Sequence, residues 1–223
     1  MKGRFITFEG GEGAGKSTQV ERLLRRLEAR GFKAVATREP GGSPRAERIR
    51  QSLLSGEAKR FGPLAEALMF SAARMDHLDN TIRPALERGA FVLCDRFADS
   101  TRAYQGALGA IDPALIEALE RVVVGATKPD LTFVLDVPAD TGLARASRRR
   151  RGEGADRFEA EDRAFHDGLR RAFLAIAERE PERCVVIDAS RSPAAVENAI
   201  WTVVEGRLLA PSAGIAASKA HVR

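Results

Sequence analysis

The sequence predicts a three-layer α/β/α fold around a five-stranded parallel sheet, and three observations lead there. Five short runs rich in Val, Ile, Leu and Phe alternate with stretches of helical period, the βαβ order that builds parallel sheets. The runs are apolar on both faces, as strands are when helices cover both sides of a sheet. The first run passes directly into a glycine-rich turn and then a helix, the order on which such sheets build their sites. At 223 residues there is room for one such domain, read as residues 1–210, with 211–223, small, polar and aperiodic, as a flexible tail.

Strands are expected at 4–9, 33–37, 90–95, 131–137 and 184–188, and helices near 16–30, 44–54, 64–88, 112–124, 139–150, 159–180 and 193–209. Gly31 stops the first helix and Pro40-Gly41-Gly42 breaks the chain after the second strand. Phe165, Leu169, Phe173 and Ile176 recur at helical spacing and are read as core, while Pro193 opens the last helix in its first turn. No internal repeat is present.

The charge balance narrows the partners. The chain carries a net charge of +5, and of its 36 basic residues only six are Lys, so Arg dominates. Arg is the side chain suited to planar, two-point grips on phosphate, which leaves nucleic acid, an anionic surface or a phosphorylated small molecule. Cys94 and Cys184, 90 positions apart and without metal-ligand spacing, read as buried thiols of a reducing compartment. No run approaches the ~20 apolar residues of a membrane span, and the N-terminus enters a strand directly, so a cytoplasmic protein without membrane contact is expected.

The sharpest motif follows the first strand: Gly10-Gly11-Glu12-Gly13-Ala14-Gly15-Lys16-Ser17-Thr18, a phosphate loop of the form G-x-x-x-x-G-K-[ST]. Glycines let successive backbone N–H groups turn inward on phosphate oxygens. Lys16 adds a mobile charge, Ser17 offers a hydroxyl to Mg²⁺, and the following helix presents its positive end. Phe91-Val92-Leu93-Cys94-Asp95 is an apolar strand ending in a carboxylate, the place for an Asp that supports Mg²⁺. Thr127-Lys128-Pro129-Asp130 resembles a guanine-reading motif but precedes a strand instead of following one, and no D-x-x-G occurs, so a GTPase switch lacks its sensor.

With these in place, the chain resembles the thymidylate kinase family, P-loop enzymes with a nucleoside monophosphate kinase-like fold that phosphorylate dTMP with ATP. The likeness spans most of 4–205 and rests on Phe8-Glu9-Gly10, Thr37-Arg38-Glu39-Pro40-Gly41-Gly42, Leu68-Met69-Phe70-Ser71-Ala72-Ala73-Arg74, Asp95-Arg96-Phe97 and Ser100-Thr101-Arg102-Ala103-Tyr104-Gln105-Gly106. The resemblance implies that Phe70 stacks on thymine and Arg74 donates to a base carbonyl; four apart, they share a helix face. It implies that Arg38 and Arg96, at strand carboxyl ends, grip the acceptor phosphate. It further implies that Glu9 and Asp95 form an acidic pair near metal and sugar, that Ser100, Thr101 and Gln105 fall on the acceptor side, and that Tyr104, the single tyrosine, excludes a 2′-hydroxyl. Homodimerisation is implied by the resemblance alone.

Residues 145–157 hold six arginines against Glu153 and Asp156, a local excess of +4, with Gly152 and Gly154 making the segment a loop. In the family this is a lid over ATP. Some relatives carry an arginine in the phosphate loop where this chain has Gly13, so the lid supplies the charge, with Arg149 and Arg151 as the leading pair. Arg145 is assigned to adenine, bordered by Asp188-Ala189-Ser190. No aromatics interleave the segment for base stacking, against a nucleic-acid patch. The expected activity is ATP:dTMP phosphoryl transfer with Mg²⁺. The alternatives are another nucleoside or nucleotide kinase and, less favoured, a nucleotide-dependent regulatory or nucleic-acid-binding P-loop ATPase.

Overall fold

A computed structural model of the chain describes residues 2–150, 158 and 160–209, with Arg149 and Arg150 described by backbone alone. The five strands are β1 (Arg4–Glu9), β2 (Ala34–Arg38), β3 (Phe91–Asp95), β4 (Leu131–Asp136) and β5 (Cys184–Asp188), all parallel in the order β2-β3-β1-β4-β5. Alternation along β1 divides the core between the two faces. Ile6 and Phe8 pack with Leu93, Phe133 and Trp201, whereas Phe5 packs with Val92, Phe97 and Val123. Thr7 and Thr132 share a 2.7 Å hydrogen bond inside the sheet, so burial leaves neither hydroxyl unpaired.

The helices are α1 (Lys16–Ala29), α2 (Pro44–Leu54), α3 (Gly62–His77), α4 (Arg83–Glu87), α5 (Ala98–Thr101), α6 (Pro113–Val123), α7 (Ala139–Arg150), α8 (Arg163–Arg179) and α9 (Pro193–Val204). α1 lays Val20, Leu23 and Leu27 on the sheet. It ends where Gly31 adopts φ +80° and donates its N–H to the Glu28 carbonyl. Pro193 opens α9 after Ser192, whose hydroxyl caps Ala195 N–H.

Three expectations shift. The helix expected over 64–88 begins earlier, at Gly62, and widens to a π-turn at Leu78–Ile82 before α4. Pro84 supplies no N–H to the ladder there, and a wider turn accommodates it. α5, continued as a π-turn over Arg102–Leu108, has no counterpart among the sequence-based elements. Of the four residues read as core on α8, Leu169 and Phe173 are buried, but Phe165 and Ile176 are half-buried at its edge, Phe165 against the Tyr104 ring. The tail at 211–223 and lid residues 151–157 lie outside the described residues.

Candidate active site

The strand order reverses at β1, whose neighbours are β3 and β4, and the site lies at the carboxyl ends of these strands, where such a crevice forms. The turn from β1 into α1 is constrained by close backbone approaches. Gly10 sits at φ +132° with its missing β-carbon 2.4 Å from the Leu135 carbonyl oxygen. Gly13, at φ +65°, would place a β-carbon 1.9 Å from the Gly142 carbonyl oxygen of α7. No side chain fits at position 13 while α7 holds this position.

Lys16 folds back over the loop, donating to the carbonyls of Gly10 (3.1 Å) and Gly11 (2.8 Å). Burial, reinforced by the neighbouring Arg96 charge, presses its pKa below the usual lysine range. Ser17 Oγ donates to Asp95 Oδ2 at 2.5 Å across the gap between α1 and β3. Gly11 and Gly15 complete the turn, Ala14 is buried beneath it, and Thr18 is exposed on the first turn of α1.

A cleft of about 210 Å³ starts at Lys16 and Ser17 and runs past β3 to α3 and α5. Arg96, which follows β3 with a left-handed φ of +69°, is at its centre. Its Nη1 donates to Gly10 O (3.1 Å) and Ser100 Oγ (3.2 Å), and its Nη2 to Glu12 Oε1 (2.6 Å). Tyr104 donates its hydroxyl to the same Glu12 oxygen at 3.0 Å and lies under the Arg96 guanidinium, 5.2 Å from its ring centre. Burial pushes the Glu12 carboxyl up, but Arg96 and Lys16 together outweigh it and hold the pKa at about 2. Glu12 therefore belongs to the phosphate loop by backbone and to the acceptor side by carboxylate.

Deeper in, Phe70 and Arg74 of α3 face the cleft beside Thr101 and Gln105, as their spacing predicts. Arg74 is buried, with Nε on Glu39 Oε2 (2.7 Å) and Nη2 on Phe97 O (3.2 Å) and Thr101 Oγ1 (3.1 Å). Arg38 stands on the rim, its Nη2 bound to both Glu47 carboxylate oxygens at 3.1 and 3.2 Å. Both partners are about half exposed, so the pair is worth at most ~1 kcal/mol.

Glu9 does not line the cleft. It is fully buried, accepting from the backbone N–H of Phe97 (2.8 Å) and Ser100 (3.2 Å) and from Ser100 Oγ (2.7 Å). A carboxylate from β1 thus caps α5, which explains both the helix and the position of Ser100. Burial, and then the negative charge of Asp99, raise its pKa from 4.5 to about 7. Because the folded value lies above the unfolded one, Glu9 stabilises the fold below about pH 4.5 and loses that contribution as the pH rises to about 7, by about 3 kcal/mol in all. Glu9→Gln, permanently neutral, should match the parent chain in thermal unfolding at about pH 4 and exceed it at about pH 8. A difference independent of pH would exclude this assignment.

Arg145 lies apart from the cleft, where Nη1 donates to Ala189 O (2.8 Å) and Nη2 to Ser190 O (3.1 Å), joining α7 to the loop after β5. Arg151 and the side chain of Arg149 lie outside the described residues. Sequence reasoning missed six contributors to the cleft wall: Glu39, Pro40, Arg50, Leu54, Phe97 and Phe158. Arg50 and Leu54 are four apart on α2, a spacing that could have placed them on one face. Phe158, whose ring is 5.1 Å from Tyr104 and 6.4 Å from Phe70, follows the arginine segment with no periodicity to place it.

Comparison with known proteins agrees with this geometry. The family model described as thymidylate kinase matches residues 8–200. A thymidylate kinase of Bradyrhizobium diazoefficiens is 55% identical over 214 residues, spanning 96% of this chain and 94% of its own. One from Nitrobacter winogradskyi is 56% identical over 220 residues, 99% and 96% of the two chains. The solved thymidylate kinase of Ehrlichia chaffeensis is similar with a TM-score of 0.74 and 34% identity, over 92% of this chain and 100% of that one.

Proposed function

The chain belongs to the thymidylate kinase family, whose reaction is phosphoryl transfer from ATP to dTMP, and we propose how its cleft divides that work. The observation that carries the proposal is that one cleft joins Lys16 of the phosphate loop to Arg96 and Arg74, with no gap between donor and acceptor sides. Lys16 leaves its loop carbonyls for the transferring phosphoryl group, since an anion there competes for the ammonium better than two amide oxygens do. Arg96 and the rim residue Arg38 hold the acceptor phosphate, already anionic and in need of no residue nucleophile. Phe70 and Arg74 hold the base, and Tyr104, anchored to Glu12, bounds the sugar.

The donor set at Ser17 and Asp95 suits Mg²⁺: one hydroxyl and one carboxylate, both hard oxygens 2.5 Å apart and aimed at the phosphate loop. Among the described residues no cluster of three or more acidic, His or Cys side chains offers a closed metal cage, which fits an ion held largely by nucleotide phosphates. When bound there, Mg²⁺ would offset charge on the ATP phosphates. The steric block at Gly13 supports a lid source for the remaining charge, from Arg149 and Arg151, within a single catalytic unit of residues 1–210 whose lid is 145–157.

The decisive experiment is a coupled ADP-release assay with dTMP, dUMP, dCMP and thymidine, with and without Mg²⁺. Turnover of dTMP dependent on Mg²⁺ is expected; turnover of another acceptor but not dTMP would transfer the cleft to a different nucleotide kinase.

Two further points belong to the proposal. Among the described residues no helix is long and apolar enough to cross a membrane, and Cys94 and Cys184 are buried free thiols, in keeping with a reducing cytoplasm. Adjacent helices α3 and α6 expose Leu64, Leu68 and Met75, and Leu115 and Val122, each set within a narrow arc of its helix. An apolar stripe across two helices, remote from the cleft, suits a second copy of the chain. Light scattering should report a dimer that Leu68→Glu converts to monomer; a monomeric parent chain at micromolar concentration would remove this reading.

A further inference from the structure

Arg74 has one nitrogen to spare. Nε is taken by Glu39, and Nη2 directs its two hydrogens to Phe97 O and Thr101 Oγ1. Nη1 has no hydrogen-bond partner among the described residues, and Arg74 lines the cleft, so Nη1 is the donor left for a ligand. Glu39 is one of three groups that fix the direction of that donor, and its 2.7 Å bond to Nε is the shortest of them.

Glu39 is in turn held by a residue that takes no part in lining the cleft. Its Oε1 is 3.1 Å from Nδ1 of His77, a fully buried imidazole one turn beyond Arg74 on α3. The other ring nitrogen, Nε2, is 2.7 Å from Thr37 Oγ1 on β2. A carboxylate can only accept, so Nδ1 carries the proton and Nε2 receives the threonine hydroxyl, which fixes the tautomer from the network. The ring cannot turn. A β-carbon on Gly42 would lie 2.3 Å from Nε2 and 2.5 Å from Thr37 Oγ1, so the backbone of the loop after β2 packs directly on it. That loop is itself tied down by Thr81 Oγ1, which donates to Gly42 O at 2.7 Å.

We propose that His77 is a positioning residue for base recognition, setting the direction of Arg74 Nη1 through Glu39. Two buried groups and a half-buried one form a single chain, Thr37–His77–Glu39, ending at the guanidinium. Removing the imidazole leaves Glu39 Oε1 without its partner and free to rotate toward Arg74, which carries the base-facing donor out of register. A displacement of ~1 Å at a positioning group costs up to ~100-fold in rate. The chain touches neither the phosphate loop nor Arg96, so the effect is confined to the acceptor.

The inference rests on the reading of Arg74 as base-facing, and the test separates the two. KM for dTMP and for ATP, and the preference for dTMP over dCMP, are measured for Arg74→Ala, His77→Ala, His77→Asn and Thr37→Val. His77→Ala should raise KM for dTMP about tenfold, leave KM for ATP unchanged and narrow the dTMP preference by a similar factor. His77→Asn, whose side-chain amide puts a donor near the position of Nδ1, should recover most of the loss. Thr37→Val should raise KM for dTMP about threefold, and keeps the question answerable if His77→Ala does not fold. A normal KM and selectivity in His77→Ala and Thr37→Val, with nothing beyond a fall in melting temperature, overturns the role of His77, and where His77→Ala does not fold a normal Thr37→Val overturns it alone. Equal losses for dTMP and ATP overturn it as well. A normal KM for dTMP in Arg74→Ala instead overturns the base-site reading beneath it.

Discussion

Lys16→Ala should lower kcat by about 10³-fold in the coupled assay while the protein still folds. The argument starts from where the ammonium rests. It is buried and satisfied only by the carbonyls of Gly10 and Gly11, acceptors that a phosphate oxygen replaces readily. Its lowered pKa records a charge with too little solvent around it, with Arg96 as a like-charged neighbour. Such a charge interacts strongly with an anion brought beside it, because little water screens the pair. Removing it deletes a charge aimed at the transferring group, so kcat suffers more than KM for dTMP. Lys16→Arg should not restore the rate, since a planar guanidinium cannot enter a turn closed by Gly10 and Gly13 against Leu135 and Gly142. The fold is expected to lose little, because among the described residues the ammonium donates to two carbonyls of its own loop and to no other element. A Lys16→Ala enzyme with a tenth or more of the parental kcat would remove Lys16 from the mechanism.

The same loop shows what sequence can carry. Its glycines and Lys16 are local, their spacing is fixed by the backbone geometry they create, and β1 and α1 declare themselves by apolar pattern on either side. β1 and β5 match their expected bounds, because a strand buried on both faces has few ways to end other than at a polar residue or a turn. α5 was illegible for the opposite reason. The carboxylate that caps it belongs to Glu9, distant in sequence, and nothing within 98–108 announces a helix start. Glu39 and His77 were hidden in the same way: a buried Glu and a buried His on different elements become a pair only when β2 and α3 are adjacent. Phe70 and Arg74 could be placed on one face from spacing, but their partners Phe158 and Thr101 come from the far side of the cleft. Local periodicity finds elements, and motifs find one wall of a site; the opposite wall is set by topology.

Arg96→Ala should reduce kcat/KM for dTMP by about 10³-fold and leave KM for ATP close to its parental value. Arg96 is placed by an unusual backbone: φ +69° in a non-glycine residue turns its side chain from the end of β3 over Gly10 and toward Ser100. From there it lies between the phosphate loop and Tyr104, the position at which the proposal puts the acceptor phosphate. The loss has two sources that can be separated. One is the grip on phosphate, which Arg96→Lys cannot replace because a point charge lacks the two-pronged fork. The other is the Glu12 carboxylate, which Arg96 holds at 2.6 Å and keeps ionised at a pKa of about 2. Deprived of that partner, the partly buried carboxylate keeps the Tyr104 hydroxyl and the Lys16 charge but loses its strongest cation, so the fold is destabilised and the carboxyl pKa climbs. The double variant Arg96→Ala, Glu12→Gln should therefore recover stability, since the orphaned charge is gone, yet stay as slow with dTMP as Arg96→Ala alone. Recovery of turnover together with stability would show that Arg96 acts by neutralising Glu12, and the acceptor phosphate would then need another clamp.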